Sequence, residues 1–133
     1  MKLITRDTDY AIRALVFIGR SDKAIISVSE LVRELKIPKP FLRKILQILN
    51  KKNLLRSYKG NKGGFILKKG LEKIFLLDLI KIFQGSLRLN ECFLRKSICP
   101  NIKTCLLKKK IDKIQKLVTS ELENIDLKSL FEK

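Results

Sequence analysis

The sequence predicts a mainly α-helical fold carrying one small β-hairpin, and three observations predict it. Before residue 52, apolar side chains recur three times at helical spacing. A glycine-containing loop then separates two short strand-like runs. Towards the C-terminus a long apolar seam recurs every three or four residues. A chain of 133 residues, 45% hydrophobic and 32% charged, suits one folded domain with a helical appendage.

Each element has its own signature. Ala11, Ala14, Leu15 and Ile18 fall at i, i+3, i+4 and i+7, with Thr8 or Asp9 placed to cap the first helix. The second begins at Ser27, where Glu30 three residues on suggests a capping box, and carries Val28, Leu31, Val32 and Leu35 as its stripe. Ile37-Pro38-Lys39-Pro40 stops it, because a residue before proline avoids the helical region. Pro40 fits the first turn of a third helix, where its missing N–H costs nothing, and Leu42, Ile45, Leu46 and Leu49 form the buried face. Arg43, Gln47, Asn50 and Lys51 line up opposite, with Lys44 beside them. Two helices joined by so tight a turn make a helix-turn-helix. Strand-like runs over 54–58 and 65–69 flank Lys59-Gly60-Asn61-Lys62-Gly63-Gly64, so the expected unit is a winged helix-turn-helix over 1–85. It closes with a helix over 74–83 that ends near Gly85. A cysteine-containing loop over 86–104 and a long helix with its tail over 105–133 complete the chain. In that helix Leu107, Ile111, Ile114, Val118 and Leu122 form a narrow seam that suits a partner helix, the alternative being the chain's own core; dimerisation is the favoured reading.

Charge narrows the function. Thirty Lys and Arg against 13 Asp and Glu leave a net charge of +17, a field that draws nucleic acid first and an anionic membrane surface second. Lys51, Lys52, Arg56, Lys59, Lys62, Lys68 and Lys69 follow one another with no acidic residue among them. A merely solubilising face would intersperse both signs. There is no histidine, which removes Ser-His-Asp and Cys-His catalysis and every His-ligated metal site, and no phosphate loop is present, so the chain is not read as an enzyme. Apolar runs are too short to span a bilayer, and Arg6, Asp7 and Asp9 interrupt any signal-peptide core, so the cytoplasm is the expected location.

A recognition helix reads base edges with residues near its N-terminus, here Lys39, Pro40, Phe41, Arg43 and Lys44. Arg and Lys suit guanine acceptors, and Phe41 suits a thymine methyl or the helix core. In the wing, Lys59, Gly60 and Lys62 would meet phosphates or the minor groove, while Ser27 and Ser29 at the second helix's start would donate to phosphate or cap the helix. Cys92, Cys99 and Cys105 follow the spacing Cys-x6-Cys-x5-Cys, unlike a zinc knuckle. Such soft ligands suit an inorganic cluster, and free structural or redox-active thiols remain the alternative.

Taken together, Thr8-Asp9-Tyr10-Ala11-Ile12-Arg13-Ala14-Leu15, the Gly60-Asn61-Lys62-Gly63-Gly64-Phe65 wing, the three cysteines and Ile125-Asp126-Leu127-Lys128-Ser129-Leu130 resemble the Rrf family of bacterial winged-helix transcription regulators, of the IscR and NsrR type. The resemblance runs from Met1 almost to Lys133 and implies a homodimer on a double-stranded DNA operator. It also implies that Cys92, Cys99 and Cys105 hold an iron–sulfur cluster sensing redox state, nitric oxide or cluster supply. Members similar to IscR carry a histidine three residues after the third cysteine; here that position is Lys108. The N-terminus is closer to NsrR, whose matching aspartate completes a [4Fe–4S] cluster from the other subunit. Asp9 is therefore the implied fourth ligand, with helix capping as its competing role, and [4Fe–4S] is favoured over [2Fe–2S]. Two rivals are a cluster-free regulator with thiol-based or no sensing and, more distantly, an iron–sulfur electron or cluster carrier.

Overall fold

In the computed structural model, which describes residues 2–89 and 104–131, the helical periods become five α-helices among the described residues. Helix α1 (Arg6–Arg20) buries Thr8, Ala11, Ala14, Leu15 and Ile18. Its cap differs from expectation: Thr5 holds the N-cap position and its carbonyl accepts the Asp9 N–H at 2.9 Å. Thr8 faces inward, because its hydroxyl finds a partner on a distant helix, and Asp9 lies in the helix proper.

Helix α2 (Val28–Leu35) is capped as its sequence indicates, with Ser27 Oγ accepting the Glu30 N–H at 3.1 Å. The box is half made, since the Glu30 carboxylate takes the Lys23 ammonium at 2.6 Å instead. Lys36 ends α2 in the left-handed region at φ 55°, and Ile37 turns inward to plug the corner. Helix α3 (Lys39–Lys51) follows with Pro40 in its first turn and Leu42, Ile45, Leu46 and Leu49 buried. Those four pack with Leu31, Ala14 and Leu15 into one apolar core, each large side chain contributing roughly 1.5–3 kcal/mol by leaving water.

Strands β1 (Leu55–Tyr58) and β2 (Gly64–Leu67) pair antiparallel, Leu55 opposite Leu67 and Tyr58 opposite Gly64. The hairpin is tied to the body by a rung that local pattern does not announce. Ile26, just before α2, donates to the Phe65 carbonyl at 3.0 Å and accepts the Phe65 N–H at 2.8 Å. A side chain at Gly64 would collide with the Ile26 carbonyl, and one at Gly63 with the Tyr58 carbonyl, so both glycines are there for close backbone approach.

A 3₁₀ turn (Leu71–Lys73) leads to α4 (Leu76–Gln84), two residues later than the spacing suggests. Ile74 is extended because its carbonyl accepts the Leu127 N–H at 2.9 Å, and Leu76 in turn donates to the Ile125 carbonyl at 2.8 Å. Helix α5 (Leu106–Glu123) begins just after Cys105 and packs on α4. Here one expectation needs correction. Leu122, placed on the partner-facing seam, is buried with Leu77 and Ile80 of its own chain. It closes, together with Ile4 and Leu87, over the apolar face that α4 presents. Val118 and Ile125 flank the same contact, and Ile111 is half-buried. By contrast Leu107 and Ile114 stand 67% and 48% exposed. Beyond α5 the chain returns to bury Leu127 in the main core. No helix among the described residues is long and apolar enough to cross a membrane.

Candidate nucleic-acid interface and cysteine site

The helix-turn-helix and the wing present one basic surface. Lys39, Pro40, Phe41, Arg43 and Lys44 are all exposed on the first turns of α3, their apolar neighbours having been drawn into the core. Lys59, Gly60 and Lys62 are exposed at the tip of the hairpin. Between them lies a groove of about 360 Å³ lined by Val28, Gln47, Asn50, Tyr58, Lys59 and Gly60. No acidic residue occurs between Glu34 and Glu72, so the groove and both its flanks carry a single sign. At the start of α2, Ser29 is exposed, and Ser27 uses an oxygen lone pair for its cap, which leaves its own O–H proton for a phosphate.

Two further residues join this face. Tyr58 is 42% exposed on β1 with the Arg56 guanidinium 5.8 Å from its ring centre; strand alternation already aims it outward, which was the available signal. Arg6 belongs to α1, yet its guanidinium lies 4.6 Å from the centre of the Phe41 ring. Nothing in the spacing of Arg6 foretells a contact with α3. Phe41 itself is exposed, not in the core.

Of the cysteines, Cys92 and Cys99 lie outside the described residues. Cys105 is the N-cap of α5, half-buried and free of any disulfide, and its Sγ accepts the Lys108 N–H at 3.5 Å. A helix N-terminus offers unpaired N–H donors to such a sulfur. Lys108 points its ammonium to Asp112 at 2.7 Å, and an ammonium has no lone pair with which to ligate a metal. Asp9 sits one turn into α1, partly exposed, paired with Arg13 at 3.0 Å. With Thr5 at the N-cap, Asp9 has no capping role to set against ligation. Among the described residues no three His, Cys, Asp or Glu side chains converge on one point.

Comparison with known proteins agrees with this architecture. The family model "Rrf2: Iron-dependent Transcriptional regulator" matches residues 4–133. The HTH-type transcriptional regulator NsrR of Oceanobacillus iheyensis is 32% identical over 125 residues, which is 92% of this chain and 85% of that protein. Among solved structures, CymR, the global cysteine regulator of B. subtilis, superposes with a TM-score of 0.78 at 18% identity, covering 98% of this chain and 96% of the other. T. potens IscR superposes with a TM-score of 0.73 at 21% identity, covering 98% and 85%. At such identities the two structures establish the fold, a mainly helical winged helix. The matched relatives are regulators and not enzymes. With the family model matching nearly the whole chain, this protein belongs to the Rrf2 family of DNA-binding transcriptional regulators.

Proposed function

We propose that this regulator binds a double-stranded operator as a homodimer, and that an iron–sulfur cluster held by Cys92, Cys99 and Cys105 sets its operator affinity. Asp9 of the partner subunit is the proposed fourth ligand. One observation carries the reading: Cys105 caps the same helix, α5, that exposes Leu106, Leu107, Ile114 and Leu117 to solvent. A ligand and an apolar dimer surface thus share one rigid element, so a change at the thiol reaches the contact between subunits directly. The proposed division of the chain follows, with a reading unit over 1–85, a cysteine loop over 86–104, and an association segment over 105–133.

The donor set fits such a group. Thiolates are soft ligands for iron, and in a chain without histidine a carboxylate, a solvent molecule or a small thiol could fill the fourth position; the resemblance to NsrR is what points to Asp9. When bound, the cluster supplies a redox- and nitric-oxide-reactive centre. The chain's own part is mechanical. Asp9, paired with Arg13 through Oδ2 alone, would have its second carboxylate oxygen for a ligand, and α5 would hold Cys105 while its exposed face meets a second copy.

Iron and acid-labile sulfide per chain, measured with a visible spectrum on protein purified without oxygen, test the reading. About four of each supports [4Fe–4S], and about two supports [2Fe–2S] with a different fourth ligand. Cys105→Ala should lose the chromophore and keep the fold. No iron or sulfide after reconstitution overturns the cluster and leaves a cluster-free regulator whose thiols act alone, a reading with which the fold shared with CymR is compatible.

A further inference from the structure

Phe41, third residue of the recognition helix, is 41% exposed, an unusual place for a phenyl ring with nothing to stack on. It does have something. The Arg6 guanidinium lies 4.6 Å from its centre and 6.0 Å from that of Tyr10, so two rings from two helices hold one planar cation. The nearest acidic group on Arg6 is Asp7, at 3.8 Å from Nε, beyond hydrogen-bond length. The Arg6 side chain remains 61% exposed, so N–H donors of its guanidinium stay open to solvent.

The backbone beneath Arg6 is also fixed. Gln84 Oε1, at the end of α4, accepts the Thr5 N–H at 3.0 Å and the Thr8 hydroxyl at 2.6 Å. The first turn of α1 is thereby anchored on both sides of Arg6, and the guanidinium is delivered to α3 by a rigid element.

We propose that Arg6 and Phe41 form one reading head. Phe41 presents its ring to a thymine methyl, and Arg6, stacked behind it, gives its outward N–H groups to the neighbouring phosphate. Arg6 is then a positioning residue supplied from outside the helix-turn-helix, setting specificity through the Phe41 ring it holds. The stack requires arginine, because a lysine ammonium keeps the charge but has no plane to lay on the ring. This inference rests on the DNA-binding part of the reading above and not on the cluster.

The test begins with selection of a duplex from a random-sequence pool by the unaltered protein. The enriched duplex and a scrambled one are then titrated with the parent, Arg6→Ala, Arg6→Lys, Phe41→Leu and the double variant Arg6→Ala/Phe41→Leu, each first checked for an unchanged thermal melt. On the enriched duplex, Arg6→Ala and Phe41→Leu should each lose about tenfold, and the double variant little more than either. Arg6→Ala should lower the slope of log affinity against log salt by about one, while Arg6→Lys keeps the slope and loses the preference for the enriched duplex. Parent-like binding by Arg6→Ala, or losses that multiply in the double variant, overturn the inference alone. A parent that enriches no sequence overturns the DNA-binding reading and the inference with it.

Discussion

Thr8 is the one buried polar side chain among the described residues, and its hydroxyl donates to Gln84 Oε1 at 2.6 Å. The same oxygen accepts the Thr5 N–H, and Gln84 Nε2 donates to the Leu3 carbonyl at 3.2 Å. Thr8→Val keeps the shape and removes the donor, so it should cost about 1 kcal/mol in chemical denaturation. Gln84→Leu strands the Thr5 N–H and leaves the Thr8 hydroxyl only Thr5 Oγ1, at 3.2 Å, and should cost about 1–3 kcal/mol. Because the two side chains share one bond, the double variant should lose less than the sum; strictly additive losses would show that the clamp does not act as a unit. From sequence alone Thr8 reads as a cap, since threonine ahead of a helical period is the common signal for one. Its true partner lies 76 residues away, and no local pattern carries that distance. The exposure of Arg43, Lys44, Lys59 and Lys62, by contrast, was legible, because helical and hairpin periods alone turn those residues outward.

At the scale of elements, local rules succeed where the element is decided locally. Ser27 caps α2, Pro40 opens α3, and glycines close the hairpin, each a property of a few neighbouring residues. The misplaced start of α4 and the unforeseen Ile26–Phe65 rung arise instead from backbone pairs between segments far apart in sequence. An apolar period likewise states that a face is buried without naming what buries it, which is how Leu122 went to α4 and not to a second copy. Leu122→Ala should therefore cost about 2–4 kcal/mol by cavity formation against Leu77 and Ile80. A melt unchanged by that variant would mean α5 does not pack on α4 in solution. The turn between α2 and α3 offers the opposite sign. Lys36 is exposed at φ 55°, where a Cβ is a burden, so Lys36→Gly should stabilise by roughly 0.5–1 kcal/mol. Destabilisation there would show that the Lys36 side chain makes a contact worth more than its strain.

At the scale of the molecule, charge and apolar surface place opposite demands on salt. Leu106 and Leu117 (70% and 61% exposed) share a sector about 100° wide on the helical wheel with Leu107 and Ile114, and Lys110 and Glu121 fall inside it. Lys109, Lys113 and Lys116 stand along its solvent side, also exposed, so with four lysines against one glutamate two copies meeting through this sector bring mostly like charges together. Screening therefore helps association, since salt weakens the repulsion and leaves apolar burial intact. The same screening weakens DNA binding, because the +17 chain gains affinity by displacing counterions from phosphate. The proposed dimer should thus tighten as salt rises from about 50 to 300 mM in sedimentation or light scattering, while operator affinity falls steeply over the same range. Leu107→Asp/Leu117→Asp should yield a monomer whose melt stays near that of the parent, since neither side chain belongs to the core. On a duplex with two half-sites one helical turn apart, that monomer should lose far more affinity than it loses on a single half-site, because only a dimer engages both recognition helices at once. If the variant remains dimeric, the contact between copies lies elsewhere, and α5 can no longer carry a change at Cys105 to the spacing of the two α3 helices.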